Sequence, residues 1–152
     1  MKKLFLYIFI FLCFGSLGSF FTAQSIPVWY ALLQKPSFNP PNYIFAPVWT
    51  VLYIMLAVYY WRLGLMPSGP LRQKFKTIFL AQFALNLMWT PVFFGMHSIL
   101  GGLIVILAID ALTFWLLWLS FKHNKKSGAL LVPYFLWLLF ATLLNLKIYL
   151  LN

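Results

Sequence analysis

At 152 residues the chain has room for one domain, and its composition excludes an ordinary soluble one: 64% of residues are hydrophobic and only 8% are charged, where soluble domains carry about a quarter charged residues. The net charge of +10 comes from 11 Lys and Arg against a single acid, Asp110. These cations flank apolar runs and form no stripe along a polar helix, so membrane topology accounts for them and nucleic acid is not an expected partner.

A helix that spans a bilayer needs about 20 mostly apolar residues. The first such run covers residues 4–22, behind Met1-Lys2-Lys3. A cleaved secretory signal is its rival reading. The run is longer than a signal core, however, and Phe21 is a poor match to the small residue a cleavage site requires. Cys13 stands alone within it, so no intramolecular disulfide and no cysteine-based metal site can form.

Residues 24–42 read as a long Pro-rich loop. Ser25 is placed to cap, Pro27 suits a first helical turn, and a short surface helix over 28–33 is expected to stop at Lys35-Pro36 and Pro40-Pro41. The second span covers 43–61 and the third 77–94, joined by a solvated turn at 63–76 that carries Gly64, Pro67, Gly69 and Pro70. A tight connection at 96–98 makes the third and fourth spans antiparallel neighbours. The fourth span covers 99–121 and the fifth 129–151, with a polar, basic turn at 122–128 between them. The runs are apolar on all sides, whereas barrel strands would show polar residues at every second position. The fold class is therefore an all-α membrane protein, a five-transmembrane-helix bundle, with 1–152 as one domain.

With the N-terminus in the cytoplasm, nine cations fall inside: Lys2, Lys3, Arg62, Arg72, Lys74, Lys76, Lys122, Lys125 and Lys126. Only Lys35 and Lys147 fall outside. That bias sets the expected orientation.

Aromatic residues make up 21% of the chain, with seven Trp. Trp29, Trp61, Trp115 and Trp118 lie near span ends or on expected lipid faces and read as interfacial anchors. Three others share helix faces with polar or small residues: Gln82, Asn86 and Trp89 in the third span, Trp137, Ala141 and Asn145 in the fifth, and Trp49 with Tyr53 in the second. Polar groups in a span normally face the bundle interior. They either tie helices together or line a tryptophan-rich pocket for a flat hydrophobic ligand with one or two polar groups, and spacing alone does not choose. Asp110 reads as a structural hydrogen-bonding group, since no second carboxylate and no nearby intramembrane base would relay a proton. His97 and His123 lie in loops on opposite sides and cannot share a metal. There is no Ser-His-Asp arrangement, Gly-rich phosphate loop or CxxC, so no metal and no cofactor is expected.

Longer motifs then carry a resemblance. Residues 29–41 (WYALLQKPSFNPP) and 47–53 (PVWTVLY), 84–95 (ALNLMWTPVFFG), Asp110, and 133–137 (PYFLW) with 140–145 (FATLLN) together resemble the translocator protein family. This is the TspO/MBR or tryptophan-rich sensory protein family, which includes the peripheral benzodiazepine receptor. The resemblance runs from Trp29 onwards through nearly the whole chain.

What it implies is a five-helix bundle, usually a homodimer, with the loop at 24–42 as a lid over a ligand pocket. The implied ligands are porphyrins such as protoporphyrin IX, haem-pathway intermediates and synthetic isoquinoline carboxamides, and the implied role lies in tetrapyrrole regulation or the stress response. Residue by residue, the implied pocket uses Trp49, Asn86, Trp89, Trp137 and Ala141. Tyr53, Ile106 and Asn145 complete the expected ligand-binding set. Trp49 and Trp137 match two tryptophans linked to light-dependent porphyrin breakdown, and would be catalytic if the chain degrades porphyrin. Binding ranks first; a porphyrin transporter and a light-dependent porphyrin-degrading enzyme are the alternatives. Phe38 stands where the family usually has Trp, and Ile106 where mammalian members have Trp. No basic residue follows Tyr149, so cholesterol binding is not expected. The short N-terminus without an Arg-rich presequence points to a bacterial cell membrane.

Overall fold

The computed structural model describes residues 2–152. Five helices follow one another: α1 (Lys2–Ser25), α2 (Asn42–Gly64), α3 (Pro70–Thr90), α4 (Ile99–His123) and α5 (Lys125–Leu151). Each is long and apolar enough to cross a membrane. Lipid supplies no hydrogen-bond partner, so a chain this apolar satisfies its backbone within helices.

The helix ends differ from the sequence expectation, for identifiable reasons. α1 does not stop at residue 22. It passes into a π-helical turn, Ile26–Tyr30, and stays helical to residue 32. The expected surface helix at 28–33 is thus the end of the first span, and the connecting loop shrinks to 33–41. A second π-helical turn, Pro91–Gly95, extends α3. Each of these turns contains a proline, Pro27 or Pro91. A proline ring clashes with the carbonyl four residues back and offers no N–H, yet the chain continues past each proline as a wider π turn, Met96 N–H donating to the Pro91 carbonyl at 2.8 Å in the second. Ser25 makes no side-chain cap; its hydroxyl donates instead to the Phe94 carbonyl in the second π turn.

The expected turn at 122–128 contracts to one extended residue, Asn124, whose side chain caps α5 by accepting from the Ser127 N–H at 3.2 Å. The turn between α3 and α4 closes through His97, which takes a left-handed φ of 54°, and Ser98 caps α4 by accepting from the Gly101 N–H.

Cross-contacts fix the two ends of the bundle. At one end, the basic end, Arg62 Nε donates to Ser127 Oγ at 3.0 Å, Tyr7 packs on Tyr60, and Phe75 meets His123. At the other, Asn145 Nδ2 donates to the Ile99 carbonyl, and the Asn152 side chain pairs with the Gln34 backbone. All nine cations counted above lie at or beside the basic end of their helices.

The halves are packed differently. Towards the basic end, Leu56, Tyr59, Phe79, Leu116 and Leu131 are fully buried, and Phe11, Phe79, Phe83 and Tyr60 form an aromatic cluster between α1, α2 and α3. Ser120 gives its proton to the Leu116 carbonyl, so Tyr59 is the donor in the buried 2.7 Å bond that ties α2 to α4. The half away from the basic end is hollow.

Candidate functional site

A cavity of about 360 Å³ occupies that hollow half, walled by all five helices and both π turns. The sequence-nominated residues Trp49, Tyr53, Asn86, Trp89, Ile106, Trp137, Ala141 and Asn145 all line it. Gln82, placed on the same face as Asn86 and Trp89, does not; it is fully buried in the packed half.

The helix faces explain the convergence. On α2, Trp49 and Tyr53 are one turn apart and their rings tilt together at 5.7 Å. On α3, Trp89 stacks on Phe93 of the following π turn, centroids 4.9 Å apart and planes at 13°. On α5, Trp137 is flanked by Phe140 at 5.3 Å and by Phe45 of α2 at 6.1 Å. α1 comes close because it carries small residues. A Cβ on Gly15 would sit 2.5 Å from the Tyr53 ring, so only glycine allows this approach.

Beneath the cavity a directional polar chain runs through three helices. Tyr53 Oη donates to Asn86 Oδ1 at 2.8 Å, Asn86 Nδ2 donates to Tyr134 Oη at 3.1 Å, and Tyr134 Oη donates to Gln82 Oε1 at 2.8 Å. The chain ties the Asn86 amide to tyrosines of two other helices, Tyr53 of α2 and Tyr134 of α5. Other groups are left open. The indole N–H of Trp89 and that of Trp137 are buried without a partner, as is Asn145 Oδ1. Burying an unpaired donor costs about 1–3 kcal/mol.

Asp110 is buried on α4 and accepts from Thr142 Oγ1 of α5 at 2.6 Å. It does not line the cavity. Among the anchors, Trp115 and Trp118 are exposed to the lipid side, at 43% and 55%. Trp29 is instead half-buried and stacked on His97 at 4.6 Å.

The loop at 33–41 is fastened at the hollow end. Asn152 Oδ1 accepts from the Gln34 N–H at 2.9 Å, and Asn152 Nδ2 donates to the Gln34 carbonyl at 3.0 Å. Tyr30 Oη donates to Asn39 Oδ1, and Phe38 meets Phe140 edge-on.

The sequence model of the TspO/MBR family matches residues 7–151. The chain belongs to the TspO/MBR family. It is similar to the tryptophan-rich protein TspO of Archaeoglobus fulgidus, 41% identical over 144 residues that cover 93% of this chain and 91% of the relative. It is also similar to protein CrtK of Rhodobacter capsulatus, 34% identical over 92% of this chain and 86% of that one. The translocator protein of Bos taurus is 30% identical, over 89% of this chain and 81% of its own. The chain is thus a multi-pass membrane protein of the translocator and tryptophan-rich sensory type.

The TspO/MBR resemblance did not nominate the α1 wall of the cavity, formed by Leu12, Gly15, Ser16, Gly18, Ser19 and Thr22. Its only signal is small residues at helical spacing inside an otherwise bulky apolar run. Tyr134 was also missed as a member of the polar chain, although it lies one turn before Leu138 on the cavity side of α5.

Proposed function

We propose that the chain binds porphyrins, protoporphyrin IX and haem-pathway intermediates among them, in the cavity between its helices, and acts in tetrapyrrole regulation or the stress response. The observation that carries this reading is the convergence of Trp49, Trp89 and Trp137 from three helices on one cavity. Indole faces stack on a flat conjugated ring. The volume lies at the low end of the range for small-molecule sites, but the walls are not sealed. Ser16 and Ser19 of α1 and Ala46 and Thr50 of α2 line the cavity and are exposed, so a larger ring could extend between those helices. Isoquinoline carboxamides, also flat and apolar with one amide, fit the same description.

The test is a titration of the purified protein with protoporphyrin IX, read by tryptophan quenching. Saturable quenching that an isoquinoline carboxamide relieves supports a shared cavity. Linear, non-saturable quenching would mean partition into detergent and would overturn the reading. The lining positions of both Trp49 and Trp137 favour light-dependent porphyrin breakdown as a second reading. It predicts loss of the porphyrin absorbance band on illumination, and none in the dark.

A further inference from the structure

The basic end holds cations that the protein itself does not answer. The one acid, Asp110, is buried and bonded to Thr142. Two of the cations are used internally: Arg62 bonds Ser127, and Arg72 donates to the Met66 carbonyl at 3.0 Å, closing the turn before α3. Lys74 of α3 and Lys122 of α4 find no hydrogen-bond acceptor among the described residues. Each lies instead over an indole on α4: Lys74 Nζ is 5.2 Å from the Trp115 ring and Lys122 Nζ is 5.5 Å from the Trp118 ring. Trp115, Trp118 and Lys122 are three and four residues apart and share one face.

That face continues down the helix as an exposed apolar track. Ile104, Leu107, Trp115 and Trp118 are 60%, 51%, 43% and 55% exposed, at spacings that keep them on one side of α4. From Ile104 to Lys122 the track is about 27 Å long at 1.5 Å per residue, nearly the whole hydrocarbon core of about 30 Å, so the chains of a lipid in one leaflet cover the half nearer Lys122. Lys122 and Trp118 thus stand at the top of an acyl-chain path, with Trp115 and the Lys74 ammonium that lies over it about 10 Å or less further down at 1.5 Å per residue.

We propose that an anionic phospholipid binds at the α3–α4 seam, its phosphate held by Lys74 and Lys122 against Trp115 and Trp118 and its chains along the exposed face of α4. An indole holds an ammonium through its quadrupole but does not neutralise it, so the pair of cations remains available to a phosphate. The same pair disfavours a zwitterionic lipid, whose choline it would repel. The site is separate from the cavity, which lies in the other half of the bundle.

The experiment uses the full chain in phosphatidylcholine vesicles, with brominated phosphatidylglycerol or brominated phosphatidylcholine added as a tryptophan quencher. The wild type should be quenched preferentially by the phosphatidylglycerol. Lys74→Gln with Lys122→Gln should lower that preference on the order of tenfold, two juxtamembrane cations being removed. Lys74→Arg with Lys122→Arg should retain it. Lys125→Gln with Lys126→Gln removes the same charge from the same end and should leave the preference unchanged. Equal losses in the two Gln pairs would reduce the effect to general attraction and overturn the site, as would an unchanged preference in the first pair. Displacement of the brominated lipid by inorganic phosphate would make this a free-anion site, and would equally overturn the proposal.

Discussion

Trp49 and Trp137 differ from Trp115 and Trp118 in what surrounds the indole, and substitution should expose that difference. The first two line the cavity and the second two face lipid. An aromatic pair contributes about 0.5–1.5 kcal/mol beyond area burial, so Trp49→Phe or Trp137→Phe should weaken protoporphyrin binding by up to about tenfold. Trp115→Phe and Trp118→Phe should leave the titration unchanged. If all four behave alike, the cavity is not the binding site. Asp110 belongs to the same scale. Its carboxylate accepts one hydrogen bond from Thr142, across the α4–α5 seam. Asp110→Asn keeps an acceptor there and should preserve both folded yield and binding. Asp110→Leu removes it and should cost on the order of 1 kcal/mol, read by thermal melting in detergent. Thr142→Val should cost little more once Asp110 is Leu, because the two losses share one bond. Loss of transport in Asp110→Asn with folding intact would instead assign the carboxyl a role in proton movement.

Helix lengths and helix ends carry different kinds of information. α1 and α2 can approach because Gly15 offers no Cβ to the Tyr53 ring. Gly15→Val should push that ring aside, break the 2.8 Å Tyr53–Asn86 bond and destabilise the protein by about 1–3 kcal/mol, the usual cost of overpacking; thermal melting with and without protoporphyrin would show both the lower midpoint and the lost ligand shift. At the hollow end, Asn152 fastens the loop at 33–41 through Gln34. Asn152→Ala should remove both bonds to Gln34 and a third to the Ile148 carbonyl, each of about 1 kcal/mol or less. The readout is faster protease cleavage within 33–41 and faster porphyrin release, with little change in the melting midpoint. The five spans were legible because bilayer thickness imposes a length that apolar runs must meet. Their ends were not. Pro27 read as the first turn of a separate surface helix, yet the first span widens into a π turn there and continues; the third span, read straight through Pro91, also passes into a π turn. Lys122 and Lys125 read as a solvated turn, yet they are helical on either side of Asn124. Trp49, Trp89 and Trp137 were legible through their polar neighbours and the family motifs. Gly15, Ser16, Gly18 and Ser19 were not, because small residues at helical spacing are the only mark that such a wall leaves and close helix packing leaves the same one.

At the scale of the whole molecule, charge and packing divide the bundle the same way. The basic end is solid, with Tyr59, Phe79, Leu116 and Leu131 fully buried. The other end is hollow and carries the loop at 33–41, and of the 11 cations only Lys35 and Lys147 lie towards it. Loop cations stay on the cytoplasmic side during insertion, so the solid end should face the cytoplasm and the cavity should open towards the outer leaflet. A reporter fused after Asn152, which the Gln34 pairing places at the hollow end, should be active only outside the cytoplasm. The same reporter fused after Asn124, between α4 and α5 at the basic end, should be active only inside. Five spans require the two fusions to disagree. Agreement between them would refute the span count, whereas disagreement of the opposite sense would keep the count and invert the orientation. Porphyrin access would then be from the cytoplasmic side. Replacing Lys2, Lys3, Arg62, Lys125 and Lys126 with Gln should produce a mixed population in both fusions, because the bias that selects one insertion is then largely removed while the cavity, remote from all five, is untouched.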